Sequence, residues 1–269
     1  MKAVLFALAL AQSPAPSPAP VTPPASRAAA QPPGSPQAHA PAYPWAVGET
    51  LTYTAKLGIL SLGSGTLEVA GLDTVRGQES FRFRFRLQGK TIVYSLDDVL
   101  ESFVGTRDLV SRRFVQDFVE NGKPIKRHYE IVADSGYYRE EGKPGTQPAP
   151  ADALDDAAFF YFVRVTDLQV GKTYSYDRYF RKEKNPVTIE VTKREKMELP
   201  DGREVDCLVL HPVIDTKGMF SKRSDTRIWL TDDERRLPVQ IRSKFPFGTI
   251  TLRMKDMVLP PATAPGRKA

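Results

Sequence analysis

The stretch 80-SFRFRFRL-87 sets three phenylalanines in alternation with three arginines. Side chains of a strand point to opposite faces in turn, so a strand here is greasy on one side and cationic on the other. Three settings satisfy that pattern: a half-buried strand over a core, a strand facing lipid, and one wall of a binding site.

The same period of two recurs on either side. Alternating positions run through Leu51/Tyr53/Ala55, Leu67/Val69, Ile92/Tyr94, Val99/Glu101/Phe103, Phe114/Gln116/Phe118 and Ile125/Arg127/Tyr129/Ile131. They continue through Tyr174/Tyr176, Val187/Ile189/Val191, Val205/Cys207/Val209, Ile228/Leu230, Leu237/Val239/Ile241 and Ile250/Leu252/Met254. Asn121-Gly122, Asp201-Gly202 and Pro246-Phe247-Gly248 supply tight turns between such runs. Consecutive hairpins imply an antiparallel meander. Gly63-Ser64-Gly65 lacks the third glycine and following helix of a dinucleotide loop, and reads as a bend or bulge within a strand.

One segment departs from the pattern. In 152-DALDDAAFFYFVRV-165, Asp152 can cap a helix, acids crowd the first turn and an arginine sits near the end. Leu154, Ala157, Ala158, Tyr161, Phe162 and Val165 follow helical spacing, and the helix is apolar nearly all round, so it should be buried. The expected fold is therefore mainly β: a single curved antiparallel sheet, a half-barrel, with one apolar helix packed on its concave face. A membrane-spanning barrel fits poorly. Many strands are short for a span, both phases of 205-VDCLVLHPVI-214 are apolar, and a buried helix has no natural place in a small barrel.

The ends are different in kind. Residues 1–11 read as an export signal, with Lys2, the apolar run 3-AVLFALALA-11 and a small-x-small site at Ala9-Leu10-Ala11. Residues 12–44 hold eleven prolines in thirty-three positions and should form a disordered tether. The β domain is expected over 45–259 and a disordered tail over 260–269. The location implied is the periplasm or cell envelope, neither lipoprotein nor transmembrane once the signal is removed, because no cysteine follows the apolar run. The sole cysteine, Cys207, rules out an internal disulfide. The net charge of +6 is spread along the chain; it suits an anionic membrane surface nearby and lacks the clustering of a nucleic-acid footprint.

Chemistry-bearing constellations are weak. Cys207 lies mid-strand among apolar residues, as a packed thiol does. His211 shares its phase, but two ligands do not make a metal site; His128 alternates out of the apolar phase and His39 lies in the tether. The acid pairs Asp97-Asp98, Asp155-Asp156 and Asp232-Asp233 sit beside turns or a helix start, where solvated acids are expected. No catalytic residue, metal or cofactor is expected.

Two resemblances add to this. The opening 48-GETLTYTAKLGILSLGSGTLEV-69, the middle 159-FFYFVRVTDLQVGKTYSY-176 and the close 218-GMFSKRSDTRIWLTDDERRLPVQIRSKFPFGTITLRM-254 resemble, in order, the motifs of the exported bacterial proteins grouped as domain of unknown function 3108. Trp229, Asp232, Arg236 and Pro238 are also similar to the closing pattern of the periplasmic lipoprotein carriers of the LolA/LolB type. That second likeness implies an unclosed half-barrel accepting acyl chains. The carriers use several covering helices, whereas one is evident here.

The expectation that follows is an exported, non-enzymatic envelope protein binding an apolar ligand, a lipid or acyl chain, inside the curved sheet. Phe81, Phe83, Phe85, Phe103, Phe160, Phe162 and Trp229 would line the cavity, and Arg82, Arg84 and Arg86 would form a cationic outer face. The alternative is an envelope scaffold or interaction module with a closed aromatic core. Partners would be a lipid, a lipidated protein or an anionic membrane surface, and no nucleic acid; the oligomeric state is left open.

Overall fold

The structure, a computed structural model, describes residues 43–90, 95–214, 220–245 and 248–261, without the Phe245 side chain. The signal and nearly all of the tether, His39, the Ile92/Tyr94 pair, Pro246-Phe247 and most of the tail lie outside the described residues.

Eight strands come first: β1 (Thr50–Leu57), β2 (Leu60–Val75), β3 (Gln78–Lys90), β4 (Ser95–Gly105), β5 (Ser111–Glu120), β6 (Lys123–Val132), β7 (Tyr137–Glu140) and β8 (Gln147–Pro148). The helix α1 (Asp156–Val165) follows. Six more strands complete the chain: β9 (Thr173–Tyr176), β10 (Val187–Glu198), β11 (Glu204–Val213), β12 (Arg227–Thr231), β13 (Pro238–Phe245) and β14 (Gly248–Val258). All fourteen form one antiparallel sheet in the order β8-β7-β6-β5-β4-β3-β2-β1-β14-β13-β12-β11-β10-β9. Two meanders of consecutive hairpins are thus joined by pairing of the first strand with the last, and the sheet stays open, with β8 and β9 as its edges. Both edge strands are short, which limits the unpaired backbone they present.

The helix lies where this topology requires a crossing. β8 and β9 sit at opposite edges, so the chain between them must traverse the sheet, and α1 makes that traverse. Every residue from Ala157 to Arg164 is buried. Its N-cap is Asp155, not Asp152: the Leu154 backbone N–H donates to the Arg178 carbonyl and Leu154 bridges Tyr179, so the chain is still extended there. Local turn chemistry behaves as its residues dictate. Asn121 and Gly122, with φ of 49° and 74°, close the β5–β6 hairpin as a tight turn with both residues left-handed. The anticipated irregularity at Gly63 is a bulge, where register shifts between Ala55 and Lys56 of β1. A Cβ at Gly63 would lie 1.9 Å from the Gln88 carbonyl oxygen, so the bulge brings two backbones closer than any side chain permits.

The main core fills the space between α1 and the covered sheet face. A smaller cluster of Leu199, Cys207, Val209, Trp229 and Val239 lies on the other face of the β10–β14 half. Strands there are apolar on both sides, as the two apolar phases of 205–214 require.

Candidate functional site

The interior beneath α1 is built from the phenylalanines of β3. Phe83 lies opposite Val69 and Ser102, and Phe85 opposite Leu67 and Leu100, so their side chains share the face that α1 covers. Phe83 is fully buried and stacks on Tyr161 of α1, with centroids 3.6 Å apart and planes at 8°. Phe85 meets Phe160 at 5.5 Å, and Phe162 meets Tyr176 edge-on at 5.1 Å. Partly buried Phe81 stacks on Phe83 at 5.4 Å, and Trp45 stands edge-on to Phe81, Phe83 and Tyr161. One crevice between helix and sheet, of about 10 Å³, is bounded by Leu154, Phe159, Phe162, Tyr176, Val187 and Ile214. That holds at most one water.

Polar groups bolt the helix at both ends. At the N-terminus Asp155 accepts from the Ala157 and Ala158 backbone N–H groups, each at 3.0 Å, and from the Ser102 hydroxyl at 2.5 Å. Burial pushes its carboxyl up to about 7. Asp156 accepts from the Tyr179 hydroxyl at 3.1 Å and is likewise raised by burial, so Asp155 is enclosed and Asp156 partly buried where solvated carboxylates were expected. At the C-terminus Arg164 makes a two-pronged pair with Glu49, at 2.5 and 3.1 Å, and donates to the Pro44 and Arg235 carbonyls. Neither side chain of that pair is more than 2% exposed. The sequence signal for it lay in the motif blocks themselves: Glu49 stands in the opening block and Arg164 in the middle one.

Two expected cavity residues lie elsewhere. Phe103 pairs with Arg82 across β3–β4 and with Arg113 across β4–β5, so it belongs to the arginine face, where the Arg113 guanidinium lies 5.5 Å from its ring. The inward phase of β4 is Leu100/Ser102/Val104. Trp229 sits in the small outer cluster beside Val209 and Cys207, whose thiol burial pushes up to about 12. The interior therefore brings together Phe81, Phe83, Phe85, Phe160 and Phe162, but not Phe103 or Trp229.

The outer face of β2–β6 is a ladder of matched charges. Arg84 lies between Glu68, at 3.2 Å, and Glu101, at 2.8 Å. Arg86 pairs with Asp97 at 2.7 Å, and that guanidinium holds the Asp97 carboxyl below its ordinary value. Arg76 and Arg113 share Glu130, and Lys126 meets Asp117. Arg82 lies on the same face opposite Phe103. Of the two described histidines, His128 faces Glu141 and His211 faces Glu190. Among the described residues no three His, Cys, Asp or Glu side chains are grouped to hold a metal ion. No helix among them is long and apolar enough to cross a membrane.

Comparison with known proteins places this architecture. The model of a family described as "Protein of unknown function (DUF3108)" matches residues 52–255. A crystal structure of a beta-barrel-like protein of domain of unknown function DUF1849 from Brucella abortus is similar, with a TM-score of 0.51 and 12% identity, covering 80% of this chain and 98% of that one. A putative lipoprotein from Parabacteroides distasonis gives a TM-score of 0.31 at 11% identity, over 80% of this chain and 97% of that one. Of the curated proteins, none matches the chain. At such identity the first likeness is one of fold.

Proposed function

The chain belongs to the DUF3108 family, and from that premise we propose that it is a non-enzymatic binding module of the cell envelope with a closed aromatic interior. Its contacts with other molecules are made from the outside of the sheet. The observation that carries this reading is the direct ring contact of Phe83 with Tyr161 beneath a helix bolted at both ends. A carrier with a standing cavity would need those rings apart. The non-enzymatic part rests on the chemistry of the side chains: the one thiol is buried and raised, and the described histidines face acids on the outside.

A second reading, an apolar ligand such as a lipid or acyl chain held inside, is favoured by the crevice between helix and sheet at Phe159, Phe162 and Ile214. A chain could enter there only by lifting α1. Native mass spectrometry of protein purified without detergent separates the two. The closed module gives the mass of the bare polypeptide, whereas a stoichiometric lipid that survives extraction of the surface overturns it in favour of the carrier.

A further inference from the structure

The outer face of the β12–β1 region carries an excess of positive charge that its few carboxylates balance only in part, in contrast to the matched ladder on β2–β6. Arg227 and Arg242 stand directly opposite each other in the β12–β13 pairing, Arg242 faces Thr251, and Thr251 faces Lys56. One cross-strand row thus holds three cations over three strand spacings, about 14 Å. Lys244 stands two residues from Arg242 on the same face. Like charges directly opposite destabilise a pair of strands unless an anion lies between them. The carboxylates in reach are few. Asp225 takes one arm of Arg227 at 2.9 Å and sits 3.8 Å from His211, while the other arm, Nη1, is buried with no hydrogen-bond partner among the described residues. Glu195 pairs with Lys193 and also feels Arg242. No ion pair engages Arg242, Lys244 or Lys56 among the described residues.

Arg227, Arg242 and Lys244 border a groove of about 230 Å³ whose lining also includes Lys193, Trp229 and one carboxylate, Asp225. It is smaller than the ~300 Å³ at which sites for drug-sized ligands begin, so it suits a headgroup. The row lies toward the end of the sheet where the β1–β2 turn projects. There Ile59 is 95% exposed and Leu60 63%, the two most exposed large hydrophobic residues described. Apolar side chains at a hairpin tip next to unbalanced cations form the amphipathic edge that seats on a bilayer.

We propose that this edge docks on an anionic membrane surface, with Ile59 and Leu60 entering the interface and a lipid phosphate held in the groove by Arg227, Arg242 and Lys244. The proposal deepens the reading of outside contacts and rests on it. The two fail separately, since a lipid inside the domain leaves this edge intact and loss of docking leaves the core closed.

The test is co-sedimentation of the full chain with vesicles of phosphatidylcholine alone or mixed with phosphatidylglycerol. Binding is expected only to the mixture, weakening as salt is added. Each cation near an anionic surface is worth about fivefold in affinity, so the R242Q/K244Q double variant should bind about 25-fold more weakly. The I59S/L60S variant should also lose binding. K126Q/K196Q removes the same charge from other exposed sites and should bind as the parent does. Equal losses in both charge variants would mean nonspecific attraction and overturn the proposal, as would failure to bind the mixture. A Trp229 fluorescence response to inorganic phosphate without vesicle binding would overturn it too, making the groove a solute site.

Discussion

At the residue scale, the alternation in 80-SFRFRFRL-87 divides two kinds of energy. Phe83 has no exposure and a ring stacked on either side, so Phe83→Asp places an unpaired carboxylate in the core and should cost about 3–5 kcal/mol. Arg84→Gln removes two pairs that water screens, with a third of the side chain exposed, and should cost about 1 kcal/mol. Urea unfolding of both variants checks the difference; equal costs would mean the strand's faces are wrongly assigned. Asp155 behaves differently from either. Its carboxyl is raised to about 7 in the fold from an ordinary 3.8, so the native state holds the proton more tightly than the unfolded chain. Stability from this site is fully present below about pH 4 and is lost as pH rises through about 7, at roughly 1 kcal/mol per pH unit. Asp98, also raised to about 7 by burial and by Glu120, adds to the same trend. Asp155→Asn keeps a capping side chain and should flatten the thermal-melting profile across that window; an unchanged slope would assign the proton elsewhere.

At the scale of elements, the strands were largely legible because period-2 patterns and Asn-Gly turns are local. The phase of β4 was not. Phe103 outweighs Leu100 and Val104 in a count of apolar bulk, yet Ser102 faces inward because it supplies the hydroxyl that Asp155 accepts from. The helix start was misplaced by three residues for a related reason, since 152 and 155 are both aspartates and the extended pairing at Leu154 decides between them. Trp229 was assigned to the wrong side because strands apolar on both faces carry no phase to read. The far end of α1 depends on the Arg164–Glu49 pair. Removing the cation alone, Arg164→Met, should cost about 3–5 kcal/mol by leaving a buried carboxylate unpaired. Adding Glu49→Gln should restore much of that in the same unfolding assay, and no recovery would show that the pair does not act as a unit.

At the scale of the whole molecule, the pairing of β1 with β14 was beyond the reach of local pattern, as any contact between chain ends is. The motif blocks nonetheless meet at one place. Tyr53 of the opening block donates to the Pro238 carbonyl of the closing block at 2.7 Å, and Arg164 of the middle block reaches both Glu49 and the Arg235 carbonyl. The resemblance in sequence therefore traces the fastening of helix to sheet, which is a property of the fold more than of a ligand site. The candidate site was legible in part: its phenylalanines come together, and Tyr161 of the helix stacks directly on Phe83.

The proposed closed interior makes α1 part of the global core, and hydrogen exchange measured as a function of denaturant tests that directly. The backbone amides of Phe160–Arg164 should exchange only through global unfolding, with the same free energy and denaturant slope as those of β3. Exchange of the helix through a local opening well below the global free energy, while β3 stays protected, would contradict the account and mark α1 as a lid.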